Sequence, residues 1–309
     1  MTTASFAERT AQARLSIRRA NSGYKRFIVP AMFTLLILTI IPLMGTVGLS
    51  LSSLSYTSSR PTAFVGLDNY IALFSDPRFI ASLWQSTILI FVPLIFQLLF
   101  GLLLALTMNE RLPAMGWLRI IFIIPMFFPP IVMGLMWKIL FTPQLGGVNY
   151  YIGLLGFPQI PWLSEPSYAL ASVCIAAIWG WTPFVAVMFY TAMQTFPKDL
   201  YEAARIDGAS WLQQLGFVTL PLLRQTALVV VFRIMEALAI FPIIFVMTSG
   251  GPAGSTETAN YYAYTAGFQF LKVGYASAII LMFLALLMIV LGPATRLLLR
   301  DVGHSGVRT

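Results

Sequence analysis

The chain has 309 residues, of which 58% are hydrophobic and only 10% charged, with a net charge of +8. A soluble domain is charged at about a quarter of its positions, so this composition excludes an ordinary soluble enzyme and a disordered chain. A single cysteine, Cys174, and a single histidine, His304, exclude a disulfide framework, His/Cys metal clusters, and Ser-His-Asp or Cys-His triads.

Residues 1–26 form a basic tail, read as a solvated flank beside anionic lipid and not as a nucleic-acid arm. Six apolar blocks then run along the chain: Phe27–Leu51, Leu83–Met108, Leu118–Phe141, Tyr168–Met193, Gln225–Thr248 and Val273–Leu298. Each is long enough to cross the roughly 30 Å of a bilayer core, which takes about 20 residues as a helix. Hydrocarbon offers a backbone no other hydrogen-bond partner, so each block is expected to be helical. None alternates apolar and polar residues as a membrane barrel strand does. The first block outlasts a signal-peptide core and no small-residue cleavage site follows it, so it is read as a retained helix. Pro125, Pro129 and Pro130 crowd the third block and predict a bend there.

Between the blocks, Gly66–Phe74 has the spacing of a short interfacial helix. The segment 142–167 is rich in glycine, proline and aromatics, with Trp162 placed for the interfacial belt. The segment from Ser249 to Pro252 is a turn signal. These three loops either seal the outer end of a pore or meet an external protein. Basic residues fix the side. Arg9, Arg14, Arg18, Arg19, Lys25, Arg26, Arg111, Arg119, Lys198, Arg205, Arg224, Arg296, Arg300 and Arg308 fall on one face; Arg60, Arg78, Lys138 and Lys272 fall on the other. Fourteen against four places both termini in the cytoplasm. The domain layout is thus a tail (1–26), a six-helix transmembrane domain (27–298) with a cytoplasmic loop at 194–224, and a C-terminal tail (299–309).

That loop is the most informative stretch. Pro197 suits a helix start, Asp199 and Glu202 complement the dipole of its first turn, and Ala203 and Ala204 propagate it. Gly208 ends or bends it, and a second short helix runs toward Pro221. The motif Glu202-Ala203-Ala204, then Asp207-Gly208-Ala209, then Leu220-Pro221 resembles the EAA loop of permease subunits in binding-protein-dependent ABC importers. Gly66-Leu67-Asp68-Asn69-Tyr70 with Phe74, Asp76 and Phe79 is similar to the carbohydrate-importer branch of that family. So are Trp179 with Thr182-Pro183-Phe184, and Thr248-Ser249-Gly250-Gly251-Pro252 with Thr256-Glu257-Thr258 and Gly274-Tyr275-Ala276-Ser277-Ala278. Two positions depart from the family: Gln225 stands where a proline is common, and Pro242 where an acidic residue is frequent.

The resemblance implies an all-α, polytopic permease of the ABC type I importer kind. It takes up a sugar or sugar-like solute (a glycoside, polyol or glycerol-phosphate) by alternating access. Its implied partners are a second permease forming a heterodimer, two ATP-binding subunits, an extracytoplasmic solute-binding protein and membrane lipid, with no nucleic acid. Glu202, Ala203, Ala204, Asp207, Gly208 and Ala209 are the implied docking surface for the ATPase. The chain carries no Gly-x-x-x-x-Gly-Lys-[Ser/Thr] phosphate loop, so the ATP chemistry belongs to another polypeptide. No catalytic residue, metal or cofactor is expected on this chain.

For the translocation path, Trp179, Trp181, Thr182 and Phe184 are candidates by the same resemblance, against plain lipid or packing contacts. Arg233 and Glu236 are the charges well inside a span. At 1.5 Å per residue, Glu236 lies about 16 Å deep, where a charge is costly and faces protein or water. Their i, i+3 spacing suggests an ion pair, with solute contact as the other reading. An ion-coupled secondary transporter, with paired membrane carboxylates and inverted repeats, is the competing function; a transport-inactive scaffold is the third.

Overall fold

The computed structural model describes residues 28–110, 115–226, 228–238 and 240–305. The basic tail 1–26, Arg111 and Arg308 lie outside these. The described residues are helical apart from loops and one antiparallel bridge between Ser52 and Phe64. The expected first span is α1 (Ile28–Ser50) and the interfacial segment is α2 (Asp68–Phe74). The second span is α3 (Pro77–Asn109) and the fourth is α7 (Pro166–Met193). The sixth begins α14 (Val273–Ser305).

The third and fifth apolar blocks are each a bent pair of helices, not one continuous helix. α4 (Met115–Ile123) runs into a 3-10 turn, Ile124–Phe127, before α5 (Pro130–Leu140), and the two halves meet at 99°. Phe128 and Pro129 are extended there. A residue before proline is pushed out of the helical region, and two successive prolines supply no N–H to continue the ladder. The bend predicted from the proline cluster is therefore present. In the fifth span, α11 (Leu228–Ala237) and α12 (Phe241–Met247) meet at 41°, with Pro242 in the first turn of α12. A break at membrane depth is tolerated only where protein or a water-filled cavity shields it. Here α12 packs on α5 and α7, so each break is covered by the other broken span.

The core is the α3–α7 pair with α5 and α12 against it. Small residues let these helices approach, as membrane packing requires without a hydrophobic drive between helices. A Cβ on Gly101 of α3 meets Val185 Cγ1 of α7 at 2.6 Å, and one on Gly180 of α7 runs into Met133 Sδ of α5. By contrast, the apolar stretch of α1 is 0% buried within the chain. Between the spans, α6 (Gly147–Leu154) is organised by Asn149. Its Oδ1 accepts from Ile160 N–H and from Trp162 Nε1, and its Nδ2 donates to the carbonyls of Pro143 and Ile160. Trp162 also packs on Phe141 with centroids 4.9 Å apart.

The end of the molecule carrying these loops is tied by one charged network. Asp76 caps α3 by accepting from Arg78 N–H at 2.9 Å, and its Oδ2 accepts from Tyr262 and Tyr275 hydroxyls at 2.6 and 2.5 Å. Arg78 binds Glu257 through two 2.8 Å hydrogen bonds and lies over the ring of Tyr262. Helix α3, α13 (Ala259–Tyr264) and α14 are thereby joined. Burial is the largest influence on Asp76 and raises its pKa. The hydrogen bonds from Tyr262, Tyr275 and the Arg78 and Phe79 backbone outweigh it and hold the carboxyl below its usual range. Burial and the bond to Asp76 push the Tyr262 phenol up to about 12.

A depressed carboxylate stabilises the fold above its unfolded pKa of about 3.9 and stops doing so as pH falls through the lower folded value. Thermal unfolding of the solubilised protein is therefore expected to drop steeply below about pH 4, and Asp76→Asn to flatten that drop. Gly101→Val is expected to cost about 1–3 kcal/mol from overpacking against Val185, read as a lower unfolding midpoint at neutral pH.

Candidate functional site

The loop 194–224 is built by local rules. Helix α8 (Lys198–Ile206) starts after extended Pro197, with Asp199 in its first turn and Arg205 in its last, both favoured by the helix dipole. It ends in a Schellman arrangement: Gly208 N–H donates to Arg205 O at 3.1 Å, and Ala209 N–H to Ala204 O at 2.9 Å. This ending requires a left-handed residue, and Gly208 supplies it at φ +77°. Ser210 then caps α9 (Trp211–Gln214) through a capping box with Gln213. A π-turn, Leu215–Thr219, precedes α10 (Leu220–Leu223), which contains Pro221. Tyr201 OH meets Thr219 Oγ1 at 3.1 Å and holds α8 against that turn.

The loop projects from the body. No residue of α8 is buried. Glu202, Ala203, Asp207 and Gly208 are exposed, and Ala204 and Ala209 are half-buried. Around them stand Ile206, Trp211, Leu212 and Phe217, exposed by 85%, 56%, 70% and 80%. A cluster of exposed apolar groups beside a charged helix is the pattern of a contact surface. It lies at the C-terminal end of α7, opposite the loops tied by Asp76 and Arg78.

The second candidate region is between α3, α7, α11 and α12. Arg233 is 2% exposed. The expected ion pair with Glu236 is not formed. Instead Arg233 Nε and Nη2 donate to Gln97 Oε1 at 3.2 and 3.1 Å, and its guanidinium lies 4.5 Å over the Trp181 ring. Gln97 is itself fixed by donating from Nε2 to Ala177 O at 2.9 Å. Successive positions on α11 point Arg233 inward to the α3–α7 seam, which leaves Glu236 at the edge of a cavity of about 120 Å³. Gln97, Pro130, Ala177, Trp181, Arg233 and Glu236 all line that cavity.

The candidates on α7 diverge. Trp181 reaches the cavity. Trp179 faces the broken third span, stacked on Phe128 at 6.0 Å and edge-on to Trp137 at 5.8 Å. Two residues are about 200° apart on a helix, so the two tryptophans point to different neighbours. Thr182 is buried and donates its hydroxyl to Ile178 O at 2.6 Å. Phe184 stacks on Phe232 of α11 at 5.3 Å. Sequence reading missed Gln97, although a lone amide amid the apolar run of α3 was a usable signal. It also missed a second cavity, of about 730 Å³, lined by Arg78, Glu257, Ser249, Tyr261 and Gln269, which comes from distant segments.

Residues 97–302 match the family described as binding-protein-dependent transport system inner membrane component. A sulfoquinovosyl glycerol transport system permease, SmoG, of Agrobacterium fabrum is 36% identical, with 88% of each chain covered. The trehalose/maltose transport system permease MalF of Thermococcus litoralis is also 36% identical, over 82% of this chain and 85% of that one. A bacterial ABC transporter that imports the acidic polysaccharide alginate shares the fold, with a TM-score of 0.79 and 22% identity. That likeness covers 94% of this chain and 99% of the other.

Because Gln97 is the acceptor that holds the buried guanidinium, Gln97→Leu strands two further N–H groups. The expected cost is about 2–4 kcal/mol, in the range for an uncompensated buried charge. Gln97→Glu keeps the acceptor for Arg233 but loses the N–H given to Ala177 O, so its unfolding midpoint is expected to fall less than that of Gln97→Leu.

Proposed function

The chain belongs to the family of binding-protein-dependent transport system inner membrane components, and from that premise we propose the following working cycle. The chain is a multi-pass permease subunit of an ATP-driven importer that carries a sugar or sugar-like solute across the membrane. Relatives named for sulfoquinovosyl glycerol and for trehalose and maltose support that solute class.

ATP is hydrolysed on separate subunits, which grip the loop 194–224 from the cytoplasm. Glu202, Ala203, Ala204, Asp207, Gly208 and Ala209 form the grip, with the exposed Ile206 and Trp211 as its apolar contacts. The observation that carries this reading is the projecting α8–Gly208–α9 unit, held rigid at both ends by backbone and side-chain bonds. A second permease completes the pathway, which is consistent with the unburied apolar length of α1. Both termini are cytoplasmic, and an external binding protein delivers the solute to the opposite face. Closure of the ATPase pair turns the cavity outward, and hydrolysis resets it. The loop joins α7 to α11, so movement of the grip reaches Trp181 and Arg233 directly, while Trp179, Thr182 and Phe184 line or support the path. The domain limits follow: a tail over 1–26, the permease over 27–298 and a tail over 299–309.

In sealed vesicles holding the whole complex, uptake is expected to require both ATP and the binding protein. Uptake driven by an ion gradient alone contradicts the proposal and favours a secondary transporter. Gly208→Val forces a β-branched residue into the left-handed region, a strain of about 1–3 kcal/mol. It is expected to lower ATP-driven uptake by roughly tenfold or more and to release the ATPase on co-purification; unchanged uptake contradicts the grip.

A further inference from the structure

Helix α6 and its flanks leave a row of large apolar groups unburied. Leu145, Tyr150, Tyr151, Leu154, Leu155 and Phe157 are each between 65% and 90% exposed. Within the helix, Tyr150, Tyr151 and Leu154 share the outward side, while Asn149 is buried and Val148 and Ile152 are half-buried beside it. A helix that is apolar on its outward side as well as its inward side has to be covered on both. From Ile139 to Ser164 the chain carries no Asp, Glu, Lys or Arg.

The cover has to be permanent, because an apolar patch of this kind left in water is an aggregation liability. A soluble binding protein comes and goes. It would leave the patch in water between visits, and it is steered by charge that this segment lacks. The bilayer is always present, and Lys138 marks its level. That residue sits in the last turn of α5, and its Nζ donates to Val246 O in the last turn of α12 at 2.9 Å. A lysine at the end of a span carries its ammonium to the headgroups. On α5, Ile131, Leu135 and Ile139 form an exposed apolar stripe at helical spacing. The chain passes from that stripe to Leu145 and α6 without meeting a charge. Tyrosines, apolar in the ring and polar at the tip, are enriched where headgroups meet hydrocarbon.

Helix α6 is also firmly tied to the spans on either side. Gly146 N–H donates to Thr142 O at 2.8 Å, and a Cβ on Gly146 would run into the carbonyls of Leu140 and Thr142, so the turn out of α5 is closed at backbone contact. Asn149 Oδ1 accepts from Trp162 Nε1 at 3.0 Å, and Trp162 O accepts from Ser172 Oγ of α7 at 3.0 Å. Whatever holds α6 therefore holds the half-helix α5 and the start of α7.

We propose that α6 lies in the membrane interface, its Tyr150, Tyr151, Leu154 and Leu155 side chains set about 5–10 Å into the headgroup–acyl boundary, and that it anchors the end of the broken third span to lipid. The proposal needs only a membrane-resident chain, which family membership gives. It stands apart from the solute, the ATPase and the direction of transport.

The test puts a nitroxide on Leu154→Cys and, separately, on Leu155→Cys, in the complex reconstituted in phosphatidylethanolamine–phosphatidylglycerol nanodiscs with partner subunits free of reactive cysteine. Cys174 is buried and stays unlabelled. Power saturation then compares collisions with oxygen, which concentrates in lipid, and with a water-soluble nickel chelate. At both positions the oxygen-to-nickel ratio is expected to exceed unity. A label on Ser58→Cys, in the exposed loop 51–66, is expected to give the reverse order. Adding Tyr151→Asp to Leu155→Cys is expected to shift the Leu155→Cys ratio toward that of Ser58→Cys, as a carboxylate pulls the helix toward water. Nickel exceeding oxygen at Leu154→Cys and Leu155→Cys places α6 in water and overturns the proposal. Low collision with both reagents overturns it in favour of cover by the second permease.

Discussion

A backbone in hydrocarbon must satisfy its own hydrogen bonds, and this constraint orders the rest of the molecule. It makes the spans helical, and it decides where a span is allowed to fail. Prolines break the third and fifth spans, and both breaks lie inside the bundle, with α12 packed on α5. The same place holds the mid-span charge. Pro130 at one break and Ile240 and Ile243 at the other line the cavity that Arg233 and Glu236 share. Irregular backbone, a buried guanidinium and a small cavity thus coincide.

Electrostatics tie the two ends of the bundle differently. At the loop-rich end, Asp76, Arg78, Glu257, Tyr262 and Tyr275 bind three separate segments together. At the other end the α8–Gly208–α9 unit is held by its own local bonds and by Tyr201 to Thr219, and otherwise stands free. Between them the α3–α7 seam is packed through Gly101 and cross-linked by Gln97, and Gly180 lets α5 close on α7. A stiff seam with a clamped end and a projecting end suits a body moved from one side. The projecting loop connects α7, which carries Trp181, to α11, which carries Arg233, so the loop and the cavity share two helices.

What was legible in the sequence follows from the range of the interactions. The bend at Pro125–Pro130, the α2 helix and the ending of α8 at Gly208 rest on local rules and are found; of the six expected spans, three described helices are long and apolar enough to cross a membrane, and up to five if each bent pair counts as one. The pairing of Arg233 was not legible. Its partner Gln97 is 136 residues away, whereas Glu236 was a plausible neighbour on the same helix. Arg78 and Glu257 are separated by 179 residues and gave no local sign of meeting. The divergence of Trp179 and Trp181 was readable in principle, because helical geometry alone turns them apart. The short helices α6 and α13 were hidden in loops whose glycines, prolines and aromatics gave no clear period.

The most direct test of the central claim is a cysteine placed at Ile206, on the exposed side of α8. The native Cys174 is buried and does not compete for reagent. In the assembled complex, the Ile206→Cys chain is expected to cross-link to the ATPase subunit, with a yield that changes when ATP is added. It is also expected to resist membrane-impermeant maleimide applied to intact cells. Labelling from outside intact cells, or a complex that transports solute with no cross-link to an ATPase in any nucleotide state, contradicts the account.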